Sequence, residues 1–192
     1  MSAAVRFRLS TLACLLISAC LLRPAHAAPL EGVHLRDQRG TVLTQARLDR
    51  QVVLLNFVFT QCATTCPVQV RELAAVHDAL PPQVREKVRF VSVSVDPLSD
   101  TPATLAAFAR RMGAERAGWT FATGAPSEVG RLVERLQAQD RSRDRPGPAD
   151  HRTALYLFDA RGDLIQRHAG MPVDRQRLVT EISRLTRLAS AH

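Results

Sequence analysis

Residues Gln51–Phe59 read QVVLLNFVF, a nearly unbroken apolar run rich in Val and Phe. It is too short to cross a bilayer and too continuous for a strand with one wet face. It needs cover on both sides, as in the middle strand of a sheet with helices above and below. Val88–Val95 alternates as VRFVSVSV and reads as a second central strand. Between them, Pro67–Leu80 places Val70, Leu73, Ala74, Val76 and Leu80 at helical spacing, and Pro81-Pro82 stops it. A strand, a crossing helix and a second strand make a parallel pair.

The rest of the chain extends this pattern. Val33–Arg36 and Thr41–Thr44 flank Asp37-Gln38-Arg39-Gly40, a hairpin turn. Asp100 or Thr101 caps a helix whose inner face is Leu105, Phe108, Ala109 and Met112, ended by Gly113. Trp119–Ala122 is a short strand, with Trp119 and Phe121 in the core. Ser127 is placed to cap a helix over Glu128–Gln137. The charged, Pro- and Gly-containing stretch Gln139–Ala149 reads as a mobile loop. Arg152–Phe158 and Leu164–His168 form a hairpin around Asp159–Gly162, and a helix over Val173–Leu188 closes the chain. The fold class is therefore α/β: a thioredoxin-like mixed sheet flanked by helices, with an added N-terminal β-hairpin.

The first residues read as an address. Arg6 and Arg8 precede a 14-residue apolar run, Leu9–Leu22, and Ala25-His26-Ala27 follows. A basic start, a short apolar stretch and an A-x-A end form a secretory signal peptide over residues 1–27, leaving 28–192 as a single domain. Ile17-Ser18-Ala19-Cys20 offers a competing lipoprotein signal that ends before Cys20, and an uncleaved anchor is a third reading. All three export the domain, to a bacterial periplasm or to a membrane facing it. Membrane association would run through a lipid or through the uncleaved N-terminus.

Export alters the charge and cysteine arguments. The whole chain carries +8, with 26 Lys and Arg against 18 Asp and Glu. Three of those cations leave with the signal and no acid does, so the domain carries +5. Lys87 is the only lysine, a skew that looks like a GC-rich genome, and no nucleic-acid motif accompanies it. Hydrophobic and charged fractions of 46% and 23% exclude a disordered chain or a multi-span membrane protein. Of four cysteines only Cys62 and Cys66 belong to the domain. A loop that short adds little entropic stabilisation, so the pair points to chemistry.

The topology says where that chemistry lies. Ligands of open α/β sheets bind beyond the carboxyl ends of the parallel strands. Cys62 follows the first such strand and Asp96 the second. If the Arg152–Phe158 strand is antiparallel, Asp150 and His151 start at that edge too. Cys66 opens a helix, a position that lowers a thiol pKa. Two thiolates and an imidazole form a soft three-ligand set suited to copper, as Cu(I) or Cu(II). Dithiol–disulfide exchange by Cys62 and Cys66 is the alternative, although C-x-x-C is its commoner spacing. Asp96 reads chiefly as a turn residue before Pro97, and Asp96 and Asp150 are candidate neighbours of the ligands. His34, His77 and His168 have no partner pattern and read as surface or structural.

Phe59-Thr60-Gln61-Cys62-Ala63-Thr64-Thr65-Cys66-Pro67, then Ser94-Val95-Asp96-Pro97-Leu98-Ser99-Asp100-Thr101-Pro102, then Asp150-His151-Arg152-Thr153, resemble the Sco/SenC family in the family's order, over roughly Leu30 to Leu188. The resemblance implies an exported copper chaperone with Cys62, Cys66 and His151 as metal ligands. Its acceptor would be a copper-accepting or disulfide-bearing protein, such as a cytochrome c oxidase subunit whose binuclear copper site it matures. Some members act instead, or also, as thiol-disulfide reductases. Two features depart from the family: Ala63-Thr64-Thr65 stands where many relatives have Pro-Asp-Val. Arg141, Arg143 and Arg145 stand where many have acidic residues.

Overall fold

A computed structural model describes residues 28–139 and 147–190. Seven strands form one sheet in the order β2-β1-β5-β4-β3-β6-β7. The central pair is β3 (Val52–Val58) and β4 (Val88–Ser94), parallel and in register from Val52↔Val88 to Val58↔Ser94. β5 (Trp119–Gly124) continues the parallel set on the far side of β4. β6 (Ala154–Phe158) pairs antiparallel with β3, and β7 (Leu164–Ala169) pairs antiparallel with β6. The N-terminal hairpin, β1 (Leu35–Asp37) and β2 (Val42–Leu43), adds to the sheet through β5. The expected mixed sheet with an added hairpin is what forms.

Every residue of β3 is buried. Strand periodicity divides them between two cores. Val52, Leu54 and Val58 meet α1 (Thr65–Ala79), α3 (Pro102–Arg111) and α5 (Arg175–Ala189) on one face. Val53, Leu55 and Phe57 meet α4 (Pro126–Arg135) and the segment from Leu30 to Leu48 on the other. The short helix α2 (Pro82–Arg85) turns the chain between α1 and β4. No helix among the described residues is long and apolar enough to cross a membrane.

Several local expectations change. Of the two capping candidates, Thr101 caps α3 by accepting from Thr104 N–H, and Asp100 is used elsewhere. Ser127 caps nothing, because Pro126 occupies the first turn of α4 and Ala125 is the N-cap. Residues 140–146 of the expected mobile loop lie outside the described residues. Its flanks are held, since Gln139 bridges to His151 and Pro148–Asp150 makes a 3-10 turn. His77 and His168 are structural and buried. Nε2 of His77 donates to the Ala117 carbonyl (3.1 Å), and Nε2 of His168 lies 3.0 Å from Glu181 Oε2.

Asn56 is the polar exception on β3, and Gln69 on α1 answers it. Asn56 Nδ2 donates to Gln69 Oε1 (2.9 Å), and Gln69 Nε2 donates to the Gly170 carbonyl (3.1 Å). Upstream, Trp119 Nε1 donates to Ser92 Oγ (3.0 Å), which donates to Asn56 Oδ1 (2.7 Å). Gly170 must be glycine for this contact. A Cβ there would stand 1.9 Å from the Thr153 carbonyl and 2.2 Å from Gln69 Nε2. Gly170→Ala should therefore lower stability by about 1–3 kcal/mol through overpacking. Gln69→Leu should cost a similar amount, about 1–3 kcal/mol, by stranding a buried donor and a buried acceptor. Urea unfolding measures both.

The histidines add a pH dependence. Burial lowers the pKa of His77, His151 and His168 below the ordinary 6.5. The unfolded chain then binds more protons than the folded one once pH drops below 6.5. Stability should be full above that value and fall as pH drops through the window beneath it. Chemical denaturation across that window, with His77→Gln as comparison, checks the sign.

Candidate metal centre

The thiols stand at the carboxyl end of β3, where the chain turns into α1. The Phe59 carbonyl accepts from Cys62 N–H (3.2 Å), which curls the loop, and the helix starts at Thr65. A buried carboxylate anchors this loop. Asp100, 1% exposed, accepts from Thr60 N–H (3.0 Å), Thr60 Oγ (2.5 Å) and Ser94 Oγ (2.5 Å). It ties the loop before Cys62 to the end of β4.

The two sulfurs occupy different surroundings. Cys62 is half-buried and lies off the start of α1, accepting from Cys66 N–H at 3.3 Å. Burial opposes its ionisation. The Cys66 backbone and thiol, with the Thr64 and Thr65 backbones, outweigh that effect and bring its pKa below the ordinary thiol value. Cys66 lies inside the first turn and is 2% exposed. Burial, reinforced by the neighbouring Cys62, pushes its thiol up to about 12. The expected helix-start effect therefore falls on Cys62 and not on Cys66, whose position is too deep.

His151 comes to the same edge by the expected antiparallel route. β6 pairs Leu155 with Asn56, so the residues before β6 pass beyond the end of β3. Its ring packs edge-on against Phe59, with centroids 5.7 Å apart. Nδ1 lies 2.6 Å from the Pro148 carbonyl. A carbonyl only accepts, so Nδ1 carries the proton and the neutral ring has its lone pair on Nε2. That Nε2 is buried and has no hydrogen-bond partner. The Phe57 backbone stands near the ring without making a bond of normal geometry. Burial lowers the pKa against the opposing pull of the Pro148 and Phe57 backbones, so the ring is neutral at neutral pH.

The other candidates have plainer roles. The Asp96 carbonyl accepts from Ser99 N–H and Asp100 N–H, the turn role expected of it. The Asp150 carboxylate accepts from Gly147 N–H (2.9 Å) and closes the 3-10 turn ahead of His151. Asp150, His151, Thr153, Gly170 and Met171 line an open cleft of about 550 Å³. Among the described residues no three His, Cys, Asp or Glu side chains lie close enough together to hold one ion. The thiols meet each other, while His151 reaches only the loop that carries them. Gln69 and Gly170 carry no signal in the sequence, and Asp100 reads there only as a helix cap. Asn56 within an apolar run was a usable signal, because a buried amide needs a buried partner.

The family description SCO1/SenC matches residues 28–187. The chain belongs to the SCO1/SenC family. It is 27% identical over 138 residues to the SCO1 protein homolog of Bacillus subtilis, covering 71% of each. It spans about half (49–55%) of the length of other relatives. Among solved structures, a SCO1/SenC family lipoprotein from Bacillus anthracis superposes with a TM-score of 0.66 at 25% identity, over 79% of this chain and 91% of that one. Bradyrhizobium japonicum ScoI with copper bound has the same fold (TM-score 0.66, 23% identity, 80% and 96% covered).

The asymmetry of the SCO1/SenC thiols is measurable. In reduced protein, Cys62 should alkylate at least about tenfold faster than Cys66 at neutral pH, because thiolate and not thiol reacts. Mass spectrometry of iodoacetamide-treated protein separates the two sites. Asp100→Ala removes the acceptor of Thr60 N–H, Thr60 Oγ and Ser94 Oγ. It should cost about 1–3 kcal/mol per stranded donor and narrow the difference between the thiols by releasing the loop.

Proposed function

We propose that this SCO1/SenC protein is an exported copper chaperone in which Cys62, Cys66 and His151 hold the metal that it passes on. The observation that carries this reading is the His151 imidazole. It is held neutral, its tautomer is set by the Pro148 carbonyl, and its Nε2 lone pair is buried without a partner. A carbonyl that accepts from Nδ1–H is the usual support for an imidazole that binds metal through Nε2. Two sulfurs on the adjoining loop supply soft donors, a set that fits copper in either oxidation state. Copper bound to a relative of the same fold supports the choice of metal.

Cys62 ionises more readily than Cys66, both give up any remaining proton on binding, and His151 needs none removed. Uptake should therefore release protons from the thiols, chiefly from Cys66. The segment carrying His151 must move toward the thiols to complete the set. Delivery would pass the ion by ligand exchange to a better-shaped acceptor, for which the binuclear copper site of a cytochrome c oxidase subunit is the candidate. Leu98, 85% exposed, and Val68, 38% exposed, lie at the same edge and offer a partner apolar contact.

Titration of reduced protein with copper, followed by thiolate-to-copper absorption, tests the ligand set. Cys62→Ala or Cys66→Ala should abolish the absorption. His151→Ala should weaken binding at least about tenfold and shift the band. Unchanged affinity and spectrum in His151→Ala would remove His151 from the site.

The split between the thiols also favours a second reading, reduction of a partner disulfide. The Cys62 thiolate attacks one partner sulfur, forms a mixed disulfide and releases the partner's other sulfur as thiolate. Cys66, once deprotonated, attacks Cys62 and frees the second partner thiolate. Two electrons pass to the partner, and the Cys62–Cys66 disulfide remains. Cys66→Ser should trap the mixed disulfide and Cys62→Ser should not. The absence of any trapped species would count against this activity and leave copper binding untouched.

A further inference from the structure

The end of the sheet opposite the thiols carries unmatched charge. β3, β4 and β5 begin there, and the turns of both hairpins and the last turn of α5 reach it. Two open clefts occupy this end, of about 750 Å³ and 1060 Å³. Together they are lined by seven cationic and four acidic side chains. Arg116 is engaged by Asp78, and Arg161 by Asp159 and Asp163. Among the described residues Arg39, Arg50, Arg85 and Arg89 make no ion pair and Lys87 Nζ meets only Ser190 Oγ, while Asp37, Asp49 and Glu86 beside them are also without an ion pair, so cations remain in surplus by two. The C-terminal dipole of α2 explains a cation at Arg85. Arg39 and Arg50 sit on turns, where no helix end requires them. Leu188, 54% exposed, stands beside Lys87.

The chain also arrives at this end. Ala28 lies against Gly162 in the β6–β7 turn, so closely that a Cβ on Gly162 would stand 2.8 Å from that of Ala28. Arg135, in the last turn of α4, donates to the Ala28 and Pro29 carbonyls. The basic start and the apolar run Leu9–Leu22 precede Ala28 in sequence. Under two of the three export readings, the spacer between bilayer and domain is short: residues 20–27 for lipid at Cys20, and residues 23–27 for an uncleaved anchor over Leu9–Leu22.

We propose that this end is a docking face for an anionic lipid surface, with Arg39, Arg50, Arg85 and Lys87 meeting phosphate headgroups and Leu188 entering the interface. Basic side chains next to an anionic leaflet each strengthen association severalfold, and the effect dies within a Debye length. A spacer of at most eight residues, with a root-mean-square span of about 15 Å, lets the face reach the headgroups. Docking this way leaves the thiol edge on the far side of the domain, facing away from the lipid. The proposal rests on membrane association through the N-terminus and not on copper.

The full chain, reconstituted into vesicles containing phosphatidylglycerol or phosphatidylcholine alone, tests it by hydrogen–deuterium exchange. Peptides covering residues 38–41, 49–51 and 85–89 should be protected on the anionic vesicles and not on the zwitterionic ones. Protection should disappear when salt rises from about 0.1 M to about 1 M. The triple variant Arg39→Glu, Arg50→Glu, Arg85→Glu should lose at least about tenfold of the protection while keeping its unfolding midpoint. Should the variant unfold, the lipid and salt dependence of the unaltered chain decides. Equal protection on both vesicles, protection at the thiol edge instead, or no vesicle association would each overturn the proposal. Failure of copper binding would not affect it.

Discussion

The hydrogen bond from Asn56 to Gln69 fixes the helix that carries Cys66 to β3, a central strand whose every residue is buried. Apolar packing alone would allow α1 to slide along β3, since Val70, Leu73 and Leu80 meet a uniformly aliphatic surface. A buried amide pair allows one register, because any other strands polar groups at about 1–3 kcal/mol each. The bond also has a direction. Trp119, Ser92, Asn56 and Gln69 each donate to the next member, ending on the Gly170 carbonyl. Strands β5, β4 and β3, helix α1 and the segment after β7 are therefore held by one polar line. Gly170 touches the Thr153 carbonyl, two residues from His151. The same line thus braces both the thiol-bearing helix and the histidine-bearing segment.

On that frame, burial and backbone direction separate two chemically identical side chains. Cys62 stands outside the first turn of α1 and collects its free N–H groups. Cys66 stands inside that turn and faces the core. At neutral pH the outer sulfur is ready to react and the inner one holds its proton until something draws it off. A soft cation can do this, and so can the partner thiolate released when Cys62 forms a mixed disulfide, which takes up the Cys66 proton. One geometry therefore serves both copper uptake and thiol exchange. The neutral, unpartnered Nε2 of His151 tips the balance toward metal, because exchange does not need it.

The element order was legible in the sequence because it rests on periodicity. The runs at Gln51, Val88 and Arg152, and the helical spacing from Val70 to Leu80, each dictate one kind of element. Their edges then bring Cys62, Asp96 and His151 to one end of the sheet without knowledge of any contact. What sequence could not give was the partner of each polar group. Asp100 looked like a cap because it precedes a Pro-started helix, yet its oxygens turn inward to Thr60 and Ser94. Ser127 had the right residue type, but Pro126 had already started its helix. Depth is equally invisible from spacing, so the helix-start effect was assigned to Cys66 when burial dominates there.

The crossovers leave the domain electrostatically polar along the strands. α1, α3, α4 and α5 each follow a strand that ends at the thiol edge, so all four run the same way. Their N-terminal N–H groups, with partial positive charge, lie at the thiol edge, where those of α1 meet Cys62, and their C-terminal carbonyls lie at the far end. A thiolate belongs at the first end. The second needs cations, and Arg110, Arg111, Arg135 and Arg187 in the last turns supply them. Arg39 and Arg50 exceed that need, since they sit on turns outside any helix. The helix directions thus account for a reactive anion at one pole and for part of the charge at the other. The surplus of three cations over acids lining the two clefts, at the pole where the chain enters, is what the proposed anionic surface would meet.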